Sequence, residues 1–163
     1  MSKLTHERLL EVLKYDEESG SFTWLKSTSN RVKVGQIAGN SSGHEYDRIR
    51  IDGELYYAHR LAYFYMTSMW PDNKVDHKDI SKRNNMWSNL RAASNQSNSA
   101  NAPMHKNNTV GLKGVSRDGS RFRAQIMVNR KYVHLGSFGT PEEAHAAYVK
   151  AANENFGLYA RAA

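Results

Sequence analysis

Residues 75–98 read VDHKDISKRNNMWSNLRAASNQSN, and the polar groups in that stretch decide how the chain is organised. Asp76 and His77 stand side by side; Asn89 follows 12 residues after the histidine and Asn98 a further 9 residues on. A carboxylate supplies a hard oxygen ligand for Mg²⁺. A neighbouring imidazole titrates near neutral pH and can take a proton from water. One asparagine can orient that imidazole and the other can complete the metal shell. Together these groups suit chemistry on a phosphodiester. Val75, Asp76 and His77 read as the end of a strand, residues 78–87 as a polar loop, and residues 87–100 as a helix with Ser88 or Asn89 near its cap. Eight asparagines fall between Asn84 and Asn108, a density that suits loops and side-chain hydrogen-bond networks better than a helix.

Each of these residues also has a plainer reading. His77 could be a surface histidine in a polar loop. Asp76 could cap a turn, with Asp79 as a competing carboxylate, and Asn95 and Asn101 compete with Asn98 for the same role. Asn89 could be a helix cap alone. Arg91 reads equally as a surface arginine or a phosphate clamp, and His59 reads as structural. It is the whole string, in order, that favours a site.

Working outward, THERLLEVLKY (residues 5–15) predicts a short amphipathic helix capped by Thr5. In DRIRIDGELYY (residues 47–57) Ile49 and Ile51 alternate with Arg48 and Arg50, and Asp52-Gly53 marks a hairpin turn. AHRLAYFYMT (residues 58–67) predicts a buried helix ended by Trp70-Pro71. Residues 101–110, NAPMHKNNTV, read as a linker. Beyond Gly111, Phe122, Ala124, Ile126 and Val128 alternate with Arg121, Arg123, Gln125 and Met127, the pattern of a half-buried antiparallel sheet. A helix then starts at Thr140-Pro141-Glu142-Glu143, with an alanine-rich apolar stripe and Gly157 at its end. The fold class is therefore α+β. The domains read as 1–100, a 101–110 linker, and 111–163 as three strands with one helix behind them.

The chain has 163 residues, no cysteine and a formal net charge of +7. Residues 1–70 balance nine Lys/Arg against nine Asp/Glu; the surplus is +3 over residues 71–110 and +4 over residues 111–163. A polyanion is the expected partner, and it should lie along the second half of the chain. The absence of cysteine excludes disulfides and thiolate zinc sites. No apolar run approaches the roughly 20 residues of a membrane span, and the charged start lacks the pattern of a secretory signal. A cytoplasmic protein without membrane contact is expected, in a bacterial host if a phage encodes it. There is no long heptad, so a monomer is expected.

Two resemblances extend this reading. Residues 5–101 carry, in order, KYDEESGSFTW, VGQIAG, IRIDGELYYAHRLAYFY, MWP and VDHKD…NN…SNLR…N. The string resembles the HNH endonucleases of the ββα-metal class, in particular their phage homing-type branch. That resemblance implies one divalent metal held by Asp76 and Asn98, His77 as general base, and Asn89 at the middle position of the motif. Residues 111–157 carry GVSRDGSRFRAQI and VHLGSFGTPEEAHAAYVKAA. They resemble the ethylene-response-factor (APETALA-like) DNA-binding domain, which lays a three-stranded sheet in the major groove. Phe122 stands where that family usually has tryptophan and Ser116 where arginine is common, so its base preference does not transfer.

The expectation is a site-selective, divalent-metal-dependent DNA endonuclease of homing type that nicks duplex DNA and leaves 5′-phosphate and 3′-hydroxyl ends. Mg²⁺ suits its hard oxygen ligands, with Mn²⁺ as the alternative. Arg91, Arg117, Arg121, Arg123, Gln125, Arg130 and Lys131 are the expected DNA contacts, since such side chains read base edges and phosphates. The alternative is a sequence-specific DNA-binding regulator with an idle nuclease domain.

Overall fold

The computed structural model describes residues 4–39 and 43–161; residues 1–3, 40–42, 162 and 163 lie outside the described residues. Helices and strands are mixed throughout, as an α+β chain requires, and the chain divides into two compact units, Met1–Ala92 and Ala93–Ala163.

In the first unit, α1 (His6–Val12) starts at Thr5, whose hydroxyl accepts the Arg8 N–H at 3.2 Å. The sequence predicts helix through Tyr15, but the helix stops at Val12. Leu13 turns extended, and β1 (Leu13–Tyr15) pairs antiparallel with β2 (Phe22–Trp24). Leu13 and Tyr15 are buried and Lys14 is exposed, so this end of the segment obeys a period of two, and strand pairing overrides local helix propensity. β3 (Ile37–Ala38) extends the sheet beside β2. β4 (Arg48–Ile51) and β5 (Glu54–Tyr57) form the hairpin around Asp52-Gly53, with Ile49 and Ile51 buried.

α2 (Ala58–Thr67) follows β5 directly. It ends on Ser68, left-handed at φ 58°, whose N–H bonds to the Phe64 carbonyl, two residues before Trp70. Leu9, Val12, Leu13, Phe22, Ile49, Ile51 and Leu61 fill the core of this unit. Each such side chain contributes about 1.5–3 kcal/mol on burial.

β6 (Lys74–His77) leads into the polar loop, which closes in a 3-10 turn at Trp87–Asn89. The helix expected over residues 87–100 is split. β7 (Leu90–Ala93) pairs with β6 first, and only then does α3 (Asn95–Asn101) begin, capped by the Ser94 hydroxyl. The backbone of β6 needs hydrogen-bond partners, and the pairing with β7 supplies them; just beyond its end the Lys78 N–H donates to the Asn89 carbonyl at 2.9 Å.

The second unit is a three-stranded antiparallel sheet, β8 (Val115–Asp118), β9 (Arg121–Val128) and β10 (Lys131–Phe138), with β9 in the middle. α4 (Pro141–Phe156) packs against it. Thr140 and Glu143 make a reciprocal capping box at its start. Val115, Ala124 and Ile126 meet Ala144, Tyr148, Ala151 and Ala152. Close packing reaches its limit at Gly114: at φ +78°, a Cβ there would lie 2.0 Å from Tyr148 Cδ2. Lys113 Nζ donates to the carbonyls of Ala100 and Ala102 at 2.7 and 2.6 Å, tying the end of α3 to this unit. Within residues 101–110, the Asn108 side chain bonds the carbonyls of Leu112 and Val115 and accepts the N–H groups of Val110 and Gly111. No helix among the described residues is long and apolar enough to cross a membrane.

Candidate active site and sheet face

Asp76 and His77 sit at the end of β6 with only 6% and 5% of their surface exposed. A carboxylate so buried needs a partner. It has one in Arg91 on β7, whose Nε and Nη2 both approach Asp76 Oδ2, at 2.9 and 2.8 Å. Arg91 is itself largely covered, its side chain 14% exposed. The residue that reads from sequence as a clamp or a surface arginine thus neutralises the carboxylate of the motif.

The His77 imidazole is held on one side by Asn85, whose Oδ1 lies 3.2 Å from Nε2. It packs edge-on against His59, with ring centroids 5.1 Å apart, and lies 6.1 Å from the Tyr46 ring. His59 is buried, and its Nδ1 has no hydrogen-bond partner. Burial, and then the charges of His77 and Arg60, pull its pKa down to about 3. His59 is therefore a neutral wall to the site.

Asn89 is buried as well, but its bonds go to the loop. Its Nδ2 donates to Asp79 Oδ1 at 2.9 Å and to the Asn84 carbonyl at 2.8 Å, and its Oδ1 accepts the Asp79 N–H at 3.1 Å. Asp79 also receives Asn84 Nδ2 at 2.7 Å and the Ser81 N–H at 2.9 Å. Burial pushes the Asp79 carboxyl up, yet the Asn84, Asn89 and Ser81 donors together hold it below the usual range. The competing carboxylate is thus the hub of the loop, Asn89 clamps that loop, and contact with the imidazole falls to Asn85. Sequence reasoning missed Asn85, because nothing local separates it from the other asparagines around it.

Asn98 lies half-buried on α3, in the Ala93–Ala163 unit, its N–H bonded to the Ser94 carbonyl. Among the described residues no three His, Cys, Asp or Glu side chains converge as a metal cage. The expected donors are different in kind, one carboxylate and one carboxamide. Mg²⁺ keeps several waters and takes one or two protein oxygens, so this donor set fits it.

On the second unit, Arg121, Arg123, Gln125 and Met127 share the outer face of β9. Ser116 and Ser137 flank Arg123 on the neighbouring strands, and His134 stands opposite Gln125. Arg123 pairs with Asp118 at 2.6 Å, and Arg121 donates to the Ser137 carbonyl at 2.7 Å. Arg117 is placed apart from them. It stands opposite Phe122, on the helix side of the sheet, with its guanidinium 6.0 Å from that ring. Asn129 and Arg130 form the β9–β10 turn, both with positive φ, and Lys131 opens β10.

Compared with known families, residues 56–100 match the model described as HNH endonuclease, and residues 110–158 match the AP2 domain, in that order. No curated protein matches the chain significantly.

Proposed function

We propose that this chain is a site-selective, divalent-metal-dependent DNA endonuclease of homing type, which nicks duplex DNA and leaves 5′-phosphate and 3′-hydroxyl ends. The HNH and AP2 matches themselves suggest a DNA-binding nuclease. The observation that carries the finer reading is the pair at the end of β6: a carboxylate and an imidazole side by side, each held by its own partner, Arg91 and Asn85. In this reading residues 1–100 form the nuclease domain, residues 101–110 the connection, and residues 111–163 the domain that positions it on DNA.

His77 takes the proton from the water that attacks the phosphorus. Asn89 keeps the loop carrying that histidine in shape. Asp76 and Asn98 would hold one divalent cation, Mg²⁺ or Mn²⁺, which supplies charge stabilisation at a phosphate oxygen and at the leaving 3′-oxygen. Arg121, Arg123 and Gln125 contact the duplex from the outer face of β9, and Arg130 and Lys131 do so from its hairpin end. Arg117 contributes from the opposite face at the sheet edge. Arg91 acts on Asp76 before it acts on DNA.

A nicking assay on supercoiled DNA tests this, with wild type and His77→Ala in Mg²⁺, Mn²⁺ or chelator. Metal-dependent nicks are expected from wild type, none with chelator, and a loss on the order of 10²–10⁴ in rate for the variant, with DNA binding kept. Binding without cutting under any metal, on DNA that contains the binding site, would instead make the chain a DNA-binding regulator.

A further inference from the structure

The two nitrogens of His77 have different surroundings, and the difference traces back to Asp47. Asn85 is 4% exposed and bridges two groups. Its Nδ2 lies 3.3 Å from Asp47 Oδ2 and its Oδ1 lies 3.2 Å from His77 Nε2. A carboxylate only accepts hydrogen bonds, so the amide edge that faces Asp47 is the NH₂ edge. The other edge, facing the ring, is then the carbonyl oxygen, which also only accepts. A hydrogen bond to that oxygen requires Nε2 to carry the proton.

The backbone of Asn85 is fixed independently of these side-chain bonds. Tyr15 donates its hydroxyl to the Asn85 carbonyl at 2.6 Å. Gly20 presses against the same peptide, where a Cβ would come within 2.4 Å of the Asn85 carbonyl carbon and the Met86 nitrogen. Asp47 is held too, its carbonyl accepting the Ala58 N–H at 2.9 Å, one step ahead of α2. The relay therefore runs between fixed points on the β1–β2 sheet, the start of the β4–β5 hairpin and the loop after β6.

We propose that Asp47 orients the Asn85 carboxamide, that Asn85 thereby fixes His77 as the Nε2–H tautomer, and that Nδ1 is the atom that takes the proton. Asp47 and Asn85 are positioning residues, and the role given to Nδ1 rests on the nuclease reading above. When the base acts, the proton of the attacking water goes to Nδ1 as its oxygen bonds to phosphorus. The imidazolium formed keeps its Nε2–H on Asn85.

The test is a long-range proton–nitrogen correlation spectrum of the histidines in the metal-free full chain at alkaline pH, with the His77 signals assigned by their loss in His77→Gln. Wild type is expected to show the Nε2–H pattern. Asp47→Asn removes the acceptor that orients the amide, so both tautomers should appear; kcat should fall about 10–100-fold, as it does when supporting hydrogen bonds are lost, with KM unchanged. Combining Asp47→Asn with Asn85→Asp places an acceptor-only group on the ring again. It should recover the Nε2–H pattern and part of kcat, a rescue that a merely structural role would not give. An Nδ1–H pattern in wild type, or Asp47→Asn with unchanged tautomer and kcat, overturns the proposal. A wild type that cuts no DNA overturns the nuclease reading instead, while the spectrum still decides the tautomer.

Discussion

In the Met1–Ala92 unit the polar side chains of the motif, Asp76, His77, Asn85 and Asn89, are buried together with His59. In the Ala93–Ala163 unit Arg121 and Arg123 stand exposed on the sheet, with Gln125 half-exposed between its neighbours. The difference lies in what each group needs from the fold. A buried carboxylate or amide costs stability unless every partner is in place. An arginine on a solvated sheet face costs almost nothing either way. Substitutions in the first unit therefore change folding and chemistry together, whereas those on the second unit's face should change binding alone.

The sharpest way to break this contrast is Arg91→Ala. It strips two hydrogen bonds from a carboxylate whose side chain is 7% exposed. Breaking a buried pair from one side costs about 3–5 kcal/mol. All three tryptophans, Trp24, Trp70 and Trp87, lie in the first unit, so urea unfolding followed by tryptophan fluorescence reads that unit selectively. A loss below about 1 kcal/mol would mean that Asp76 behaves as a surface carboxylate.

A smaller effect concerns pH. His59 is held near 3 in the folded state, below its ordinary 6.5. As pH falls below the unfolded value, the unfolded chain takes up a proton that the folded chain refuses. Stability is thus intact above about pH 6.5 and drains away toward pH 3, by on the order of a few kcal/mol in all. His59→Phe should flatten the acid limb of the tryptophan-monitored stability curve; an unchanged limb would place the acid sensitivity in other groups.

The smallest effect on folding is expected from Arg121→Ala with Arg123→Ala. The Arg123–Asp118 pair is about half-exposed on both sides, so stability should move by less than about 1 kcal/mol. DNA affinity should still drop, and the salt dependence of binding should lose about one unit of slope for each phosphate contact removed. Anisotropy titrations at several salt concentrations would show it. Unchanged affinity would leave that face a plain solvated surface.

Some of this organisation is legible in the sequence and some is not, for identifiable reasons. The β4–β5 hairpin, α2 and the β9 alternation follow from local patterns that tertiary packing reinforces. Leu13–Tyr15 and Leu90–Ala93 do not, because LLEVLKY and NLRAA suit helix and strand alike, and it is pairing with Phe22–Trp24 and with β6 that decides. Asp76 and His77 are adjacent in the chain, so their partnership can be read directly. Arg91 is readable as a residue near them, but its contact with Asp76 exists only once β6 and β7 pair. Asn85 and Asp47 are further from view, since their bonds to each other and to His77 join segments with no local relation.

The bond from Tyr15 to Asn85 spans 70 residues of chain. On a ribosome, that separation becomes a delay. The loop beside His77 cannot reach its final shape until nearly the whole first unit has been made, whereas the second unit is a run of neighbouring strands followed by a helix, with short closures throughout. Time is thus distributed unevenly along the chain. The sheet face can be complete soon after its own residues emerge, while the buried site must wait for two distant segments to meet.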